Sequence, residues 1–120
     1  MMRRNGHAFV SLITLVSAVI TGCSARRERE ATLKQDLRVM RDAIDNYTLG
    51  KKQAPQSLQD LVDRHYLKEI PTDPFTRKKD WVPQFDSVVL SPDQTTTGIV
   101  DVHSSSPRVS PFDNTPYNEW

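Results

Sequence analysis

"LKQDLRVMRDAIDNYTLG", residues Leu33–Gly50, is the stretch that decides the fold. Leu33, Leu37, Met40, Ile44 and Tyr47 recur at steps of 4, 3, 4 and 3, which places them on one stripe of an α-helix. Lys34, Asp36, Arg38, Arg41, Asp42 and Asp45 stand between them and read as the solvated face. No proline interrupts the segment from Arg26 onward, so a helix is predicted over about 26–49. Gly50 is expected to end it by entering a left-handed turn. The pattern lasts only about three heptads, which favours a face that packs on a core over a coiled-coil seam.

Working outward toward the C-terminus, "APQSLQDLVDRHYL" predicts a second, short helix over about 56–64. Ser57 is its N-cap, Asp60 supports the first turn, and Leu58, Leu61 and Val62 form its apolar edge. "EIPTDPFT" sets two prolines around Asp73 and so predicts an extended, turning loop. Trp81–Phe85 and Ser87–Leu90 read as short β-runs, "SPDQTTTG" as a turn-rich connection, and "GIVDVH", Gly98–His103, as the best strand. The serine- and proline-rich tail from Ser104 shows little regularity, with Tyr117 and Trp120 as the side chains able to dock it. The order gives an α+β domain: a long helix, a short helix, and a small antiparallel sheet with loops over about 80–120.

Toward the N-terminus the character changes. Arg3 and Arg4 precede an apolar run, Ala8–Ile20. That run is shorter than the roughly 20 residues of a comfortable membrane span and fits the core of a secretory signal. Ile20-Thr21-Gly22-Cys23 then resembles the lipobox of bacterial lipoproteins, in which the cysteine receives a diacylglyceryl group and the chain is cut just before it. Residues 1–22 therefore read as a signal peptide or membrane anchor and residues 23–120 as the globular domain, with Cys23 the candidate lipidation site. An uncleaved anchor, with Cys23 a bystander, is the alternative. The basic N-terminal flank places the rest of the chain outside the cytoplasm, although Arg26, Arg27 and Arg29 weaken that asymmetry.

The chain has 120 residues and a formal net charge of +1, with one cysteine and four glycines. The charge argues against a nucleic-acid binder. One cysteine allows no internal disulfide, and no glycine-rich phosphate loop is present. Asp101, His103 and Ser104 suggest a catalytic triad, but neighbours 103 and 104 of a strand point to opposite faces. No catalytic residue is assigned, and no small-molecule substrate is expected.

The order of parts from about Leu33 to Trp120 resembles the major, G-type pseudopilin of type II secretion systems and its type IV pilin relatives. Three passages carry the likeness. "LKQDLRVMRDAIDNYTLGKKQAPQSLQDLV" is similar to that family's helix and second-helix start. "YLKEIPTDPFTRKKDW" is similar to its junction between helices and sheet and is the most specific of the three. "GIVDVHSSS" and the terminal "NEW" match its Asp-Val strand and tryptophan end. The resemblance implies a pilin-like fold and a non-enzymatic, structural role in a periplasmic filament that moves proteins outward. The implied partners are other pseudopilins or secretion-system proteins and, through the N-terminus, the membrane. The head would face the periplasm at the inner membrane, and Ser24 behind the cysteine is compatible with sorting to the outer one.

Two departures follow from the same comparison. Family members carry a glutamate a few residues into the mature chain, whereas no acidic residue precedes Glu28 here. A lipid anchor in place of the filament helix, a degenerate prepilin signal cut after Gly6, and a lipoprotein that uses a pilin-like head as a protein-binding module all remain open. Family heads also bind calcium in the loop after the last strands. The tail here lacks the family's Gly-Ala-Asp-Gly run and offers Asp113 and Asn114, with Arg108 nearby. No cofactor is expected; Asp113 is the one calcium candidate, and a simple Asp113-Asn114 turn the alternative.

Overall fold

The computed structural model describes the backbone of residues 2–120 and the side chains of residues 24–120. The chain forms two units, Met1–Ala31 and Thr32–Trp120. Helix α1 spans Met2–Lys51. Among the described residues no helix is long and apolar enough to cross a membrane; the side chains of the apolar run Ala8–Ile20 and of Cys23 lie outside the described ones.

The second unit is α+β. Leu33, Leu37, Met40 and Ile44 of α1 are all buried, and Ala43 joins them. Tyr47 is half-buried and meets the Tyr66 ring edge-on, with centroids 5.3 Å apart. Gly50 does not end the helix as its type suggests. The helix passes through it to Lys51, and Lys52 takes the left-handed conformation at φ 55°. Gly50 answers a different demand: the Tyr66 hydroxyl occupies the space a Cβ would need.

Helix α2 spans Leu58–Asp63, shorter than the sequence suggests. Ser57 and Asp60 form a complete capping box, each side chain accepting from the other's backbone N–H. His65 stops it in the left-handed region at φ 65°, its N–H donating to the Val62 carbonyl at 3.1 Å. Leu61 is the residue α2 buries.

Strands β1 (Val82–Ser91) and β2 (Gln94–His103) form a two-stranded antiparallel sheet. This corrects two expectations. The runs around Phe85 and Val88 are one strand, kinked by a register shift between Gln84 and Phe85. Of "SPDQTTTG" only Pro92 and Asp93 turn, while Thr95, Thr96 and Thr97 pair with Val89, Val88 and Ser87. β-Branched threonines suit a pleated strand even without apolar alternation. The outer edge of β2 is covered by the segment before α2. Ile99 N–H donates to the Pro55 carbonyl at 2.8 Å, and Gln56 Nε2 to the Thr97 carbonyl at 2.8 Å.

Gly98 makes that approach sterically feasible. A Cβ there would stand 2.6 Å from the Pro55 carbonyl oxygen and 2.8 Å from the Ala54 methyl. Because one obstacle is backbone, Gly98→Ala should destabilise the unit by about 2 kcal/mol through overpacking. A shift of the urea midpoint of several tenths molar would report it, and an unchanged midpoint would refute the close approach.

The tail is ordered by packing rather than by regular structure. It makes an isolated bridge between Val109 and Pro116 and a 3-10 turn over Tyr117–Glu119. Tyr117 is buried, stacked on Phe75 with centroids 3.9 Å apart, and Trp120 meets it edge-on at 4.9 Å.

Candidate functional site

Arg41 was expected on the solvated face of α1, but it is half-buried and ties three parts of the head together. Its Nε donates to Asp101 Oδ1 at 2.6 Å, and its Nη2 to the carbonyl oxygens of Val102 (2.9 Å) and Trp120 (2.7 Å). A guanidinium suits this role because its planar fork supplies several donors in fixed directions. His103 adds to the same anchor. Its Nδ1 lies 2.7 Å from the Trp120 backbone oxygen, which can only accept, so Nδ1 is the donor of that bond. Its Nε2 faces Gln84 Oε1 at 3.2 Å and Asp101 Oδ2 at 3.6 Å.

The strand thus brings Asp101 and His103 together on one face, as residues two apart must be. Ser104 is elsewhere. It is fully buried and its hydroxyl donates to Asp73 Oδ2, so these three residues do not form the relay of a triad.

Asp73 stands in the turning loop that its flanking prolines predict. It is completely buried. Its Oδ1 accepts the backbone N–H groups of Phe75 (2.7 Å) and Thr76 (3.2 Å), while Oδ2 takes the Ser104 hydroxyl. Ser104 Oγ in turn accepts the Ser106 N–H at 3.1 Å. Beside it, Trp81 Nε1 donates to the Pro71 carbonyl at 2.7 Å. The junction between helices and sheet is therefore held by one carboxylate with its acceptors filled. Nearby, the exposed Asp80 is held below the usual carboxylate range, chiefly by hydrogen bonds from Thr76 and Ser105.

The buried Asp73 has a like-charged neighbour. Partial burial, and next the Asp73 charge, push the Asp36 carboxyl above its ordinary value of 3.8. A group whose folded value is raised favours the folded state fully at pH below its unfolded value. That contribution is lost as pH rises through the folded value. Asp36→Asn should therefore raise the melting temperature at about pH 7, with the gain vanishing below about pH 3.8. A gain that persisted at low pH would show that charge is not its origin.

Asp113 is exposed, with its Oδ2 3.9 Å from Lys34 Nζ. The adjoining Asn114 adopts φ 56° and its N–H donates to the Ser110 carbonyl at 2.9 Å, so Asp113-Asn114 forms a turn. Among the described residues no three His, Cys, Asp or Glu side chains converge as metal ligands. Cys23 lies outside the described side chains.

Two open grooves flank the head. One, of about 360 Å³, runs between Asp45, Thr48 and Leu49 of α1 and Val88–Leu90 of β1. The other, of about 410 Å³, is lined by Lys34, Leu37, Arg38, Arg41, Asp42 and Trp120. Comparison with protein-family models, with curated proteins and with solved structures found no match for this chain.

Proposed function

We infer that the chain is a pseudopilin-like, non-enzymatic subunit of a bacterial type II secretion or type IV pilus-related machine, with a pilin-like head on the periplasmic side of a membrane. The observation that carries this reading is the junction over Tyr66–Trp81. The passage most similar to the pseudopilin family is also the one that fastens the head, through buried Asp73 and the Trp81–Pro71 hydrogen bond. The missing early glutamate fits a subunit tethered by lipid at Cys23 in place of a filament helix, since three acyl chains hold a bilayer where one holds only marginally.

Two measurements test it. Cells lacking the chain should retain internally a protein that they otherwise release, and unchanged release would overturn the proposal. The intact mass of the membrane-extracted chain, beside Cys23→Ser, decides the anchor. A product starting at Cys23 plus lipid, lost in the variant, is expected. Retention of Ala8–Ile20 in both would replace the lipid tether with an inserted helix and favour a subunit embedded among others.

A further inference from the structure

We propose that the open edge of β1 takes an extended, apolar segment of another protein as a third strand, paired at Phe85, Ser87 and Val89 and laid along the groove beside Leu49. The direction of the backbone groups follows from what β2 already binds. In an antiparallel pair, alternate residues turn their N–H and C=O toward the partner strand, and the others turn them away. On β2 the Ile99 N–H and the Thr97 carbonyl point away from β1, to Pro55 and to Gln56. Their partners across the pair are Phe85 and Ser87. These two, and Val89 two residues on, therefore turn their N–H and C=O to the open side of β1. Among the described residues one group meets that row: Asp86 Oδ1 accepts the Ser87 N–H at 2.7 Å.

This chemistry selects the occupant. A row of alternating donors and acceptors is matched along its length by another extended backbone. Beside the row, Val89 is 71% and Leu49 65% exposed. The groove of about 360 Å³ between α1 and β1 has the buried Ile44 and Ile99 among its lining residues, so it opens onto the core. Alternate side chains of an added strand fall on one face, and β-branched apolar ones suit that lining. A second copy of this chain fits less well. Two β1 strands paired antiparallel about Ser87 would set their Asp86 carboxylates diagonally on one face, a like-charge contact. In the unoccupied edge Asp86 acts as a cover, one of the ways a charged side chain keeps an edge from indiscriminate pairing. The contact rests on the sheet edge alone and does not depend on the secretion reading.

Fluorescence anisotropy with the full chain in phospholipid nanodiscs tests it. The probe is a short labelled peptide alternating valine and threonine, blocked at both ends. The chain is titrated to about 1 mM, because a contact this small lies below the size of a stable interface. The native chain should bind the peptide and should not bind its fully N-methylated form, which keeps the side chains and loses the donors. Ser87→Pro should melt as the parent does, since that N–H lies outside the hairpin ladder and an edge strand tolerates proline there, yet it should lose binding. Leu49→Asp, at an exposed site, should also stay folded and bind at least about tenfold more weakly. No binding by the native chain, equal binding of the methylated peptide, unfolding of Ser87→Pro, or undiminished binding by either variant would each overturn the contact. A native chain that dimerises in sedimentation without peptide, with the dimer lost in Ser87→Pro, would give the edge to a second copy and overturn it too.

Discussion

Leu37→Asp is expected to abolish the cooperative thermal transition of the head. Leu37 is 2% exposed, between Leu33 and Met40, which are 0% exposed. Removing a buried leucine side chain costs about 2–5 kcal/mol by itself. An aspartate there also has to bury a carboxylate with no partner or take up a proton. A domain of this size has roughly 5–15 kcal/mol in total, so the sum removes most or all of it. Circular dichroism should show loss of the near-ultraviolet signal and no sigmoidal melt. Leu37→Met, which conserves volume, should stay within about 1.5 kcal/mol of the parent. If Leu37→Asp melts like the parent, the stripe on α1 is not seated in a core.

The second large effect belongs to Asp73. Asp73→Ala strands the part-buried N–H groups of Phe75 and Thr76 and the fully buried hydroxyl of Ser104. Each unsatisfied donor costs about 1–3 kcal/mol, giving about 3–9 kcal/mol for the set. At roughly 4–8 °C per kcal/mol for a domain of this length, the melting temperature should fall by at least about 12 °C. Asp73→Asn keeps one carbonyl oxygen for the two N–H groups and should lose much less. Ser104→Ala removes only one donor and should fall between the parent and Asp73→Ala. Equal losses in all three variants would mean that side-chain volume, not hydrogen bonding, holds the junction.

The contrast between these two positions shows what sequence alone conveys. The Leu33–Ile44 stripe is legible because helical periodicity is local: burial follows from spacing, whatever the stripe packs on. The Ser57–Asp60 cap is legible for the same reason. Asp73 is not, because an aspartate between prolines looks alike whether it serves an open turn or a buried one. Its key partner, Ser104, lies 31 residues away. Arg41 is hidden similarly: its spacing assigns it to the solvated face, and only the return of β2 and the tail makes it a clamp. The hairpin reads as fragments because threonines and serines on an exposed strand erase the alternation that marks a half-buried one.

The unequal support of the two strands has a kinetic consequence. β2 is held on both sides, by β1 and by Pro55 and Gln56, and it buries Ile99 and Val102. β1 has a single hydrogen-bonded neighbour in the sheet and leaves Phe85 and Val89 largely in solvent. Peeling β1 away thus exposes little apolar surface, and local opening of that kind needs far less free energy than global unfolding. In deuterated buffer the amides of Ser87–Val89 should exchange through this local fraying. The Ile99 amide, bonded to Pro55, should exchange only when the whole unit comes apart.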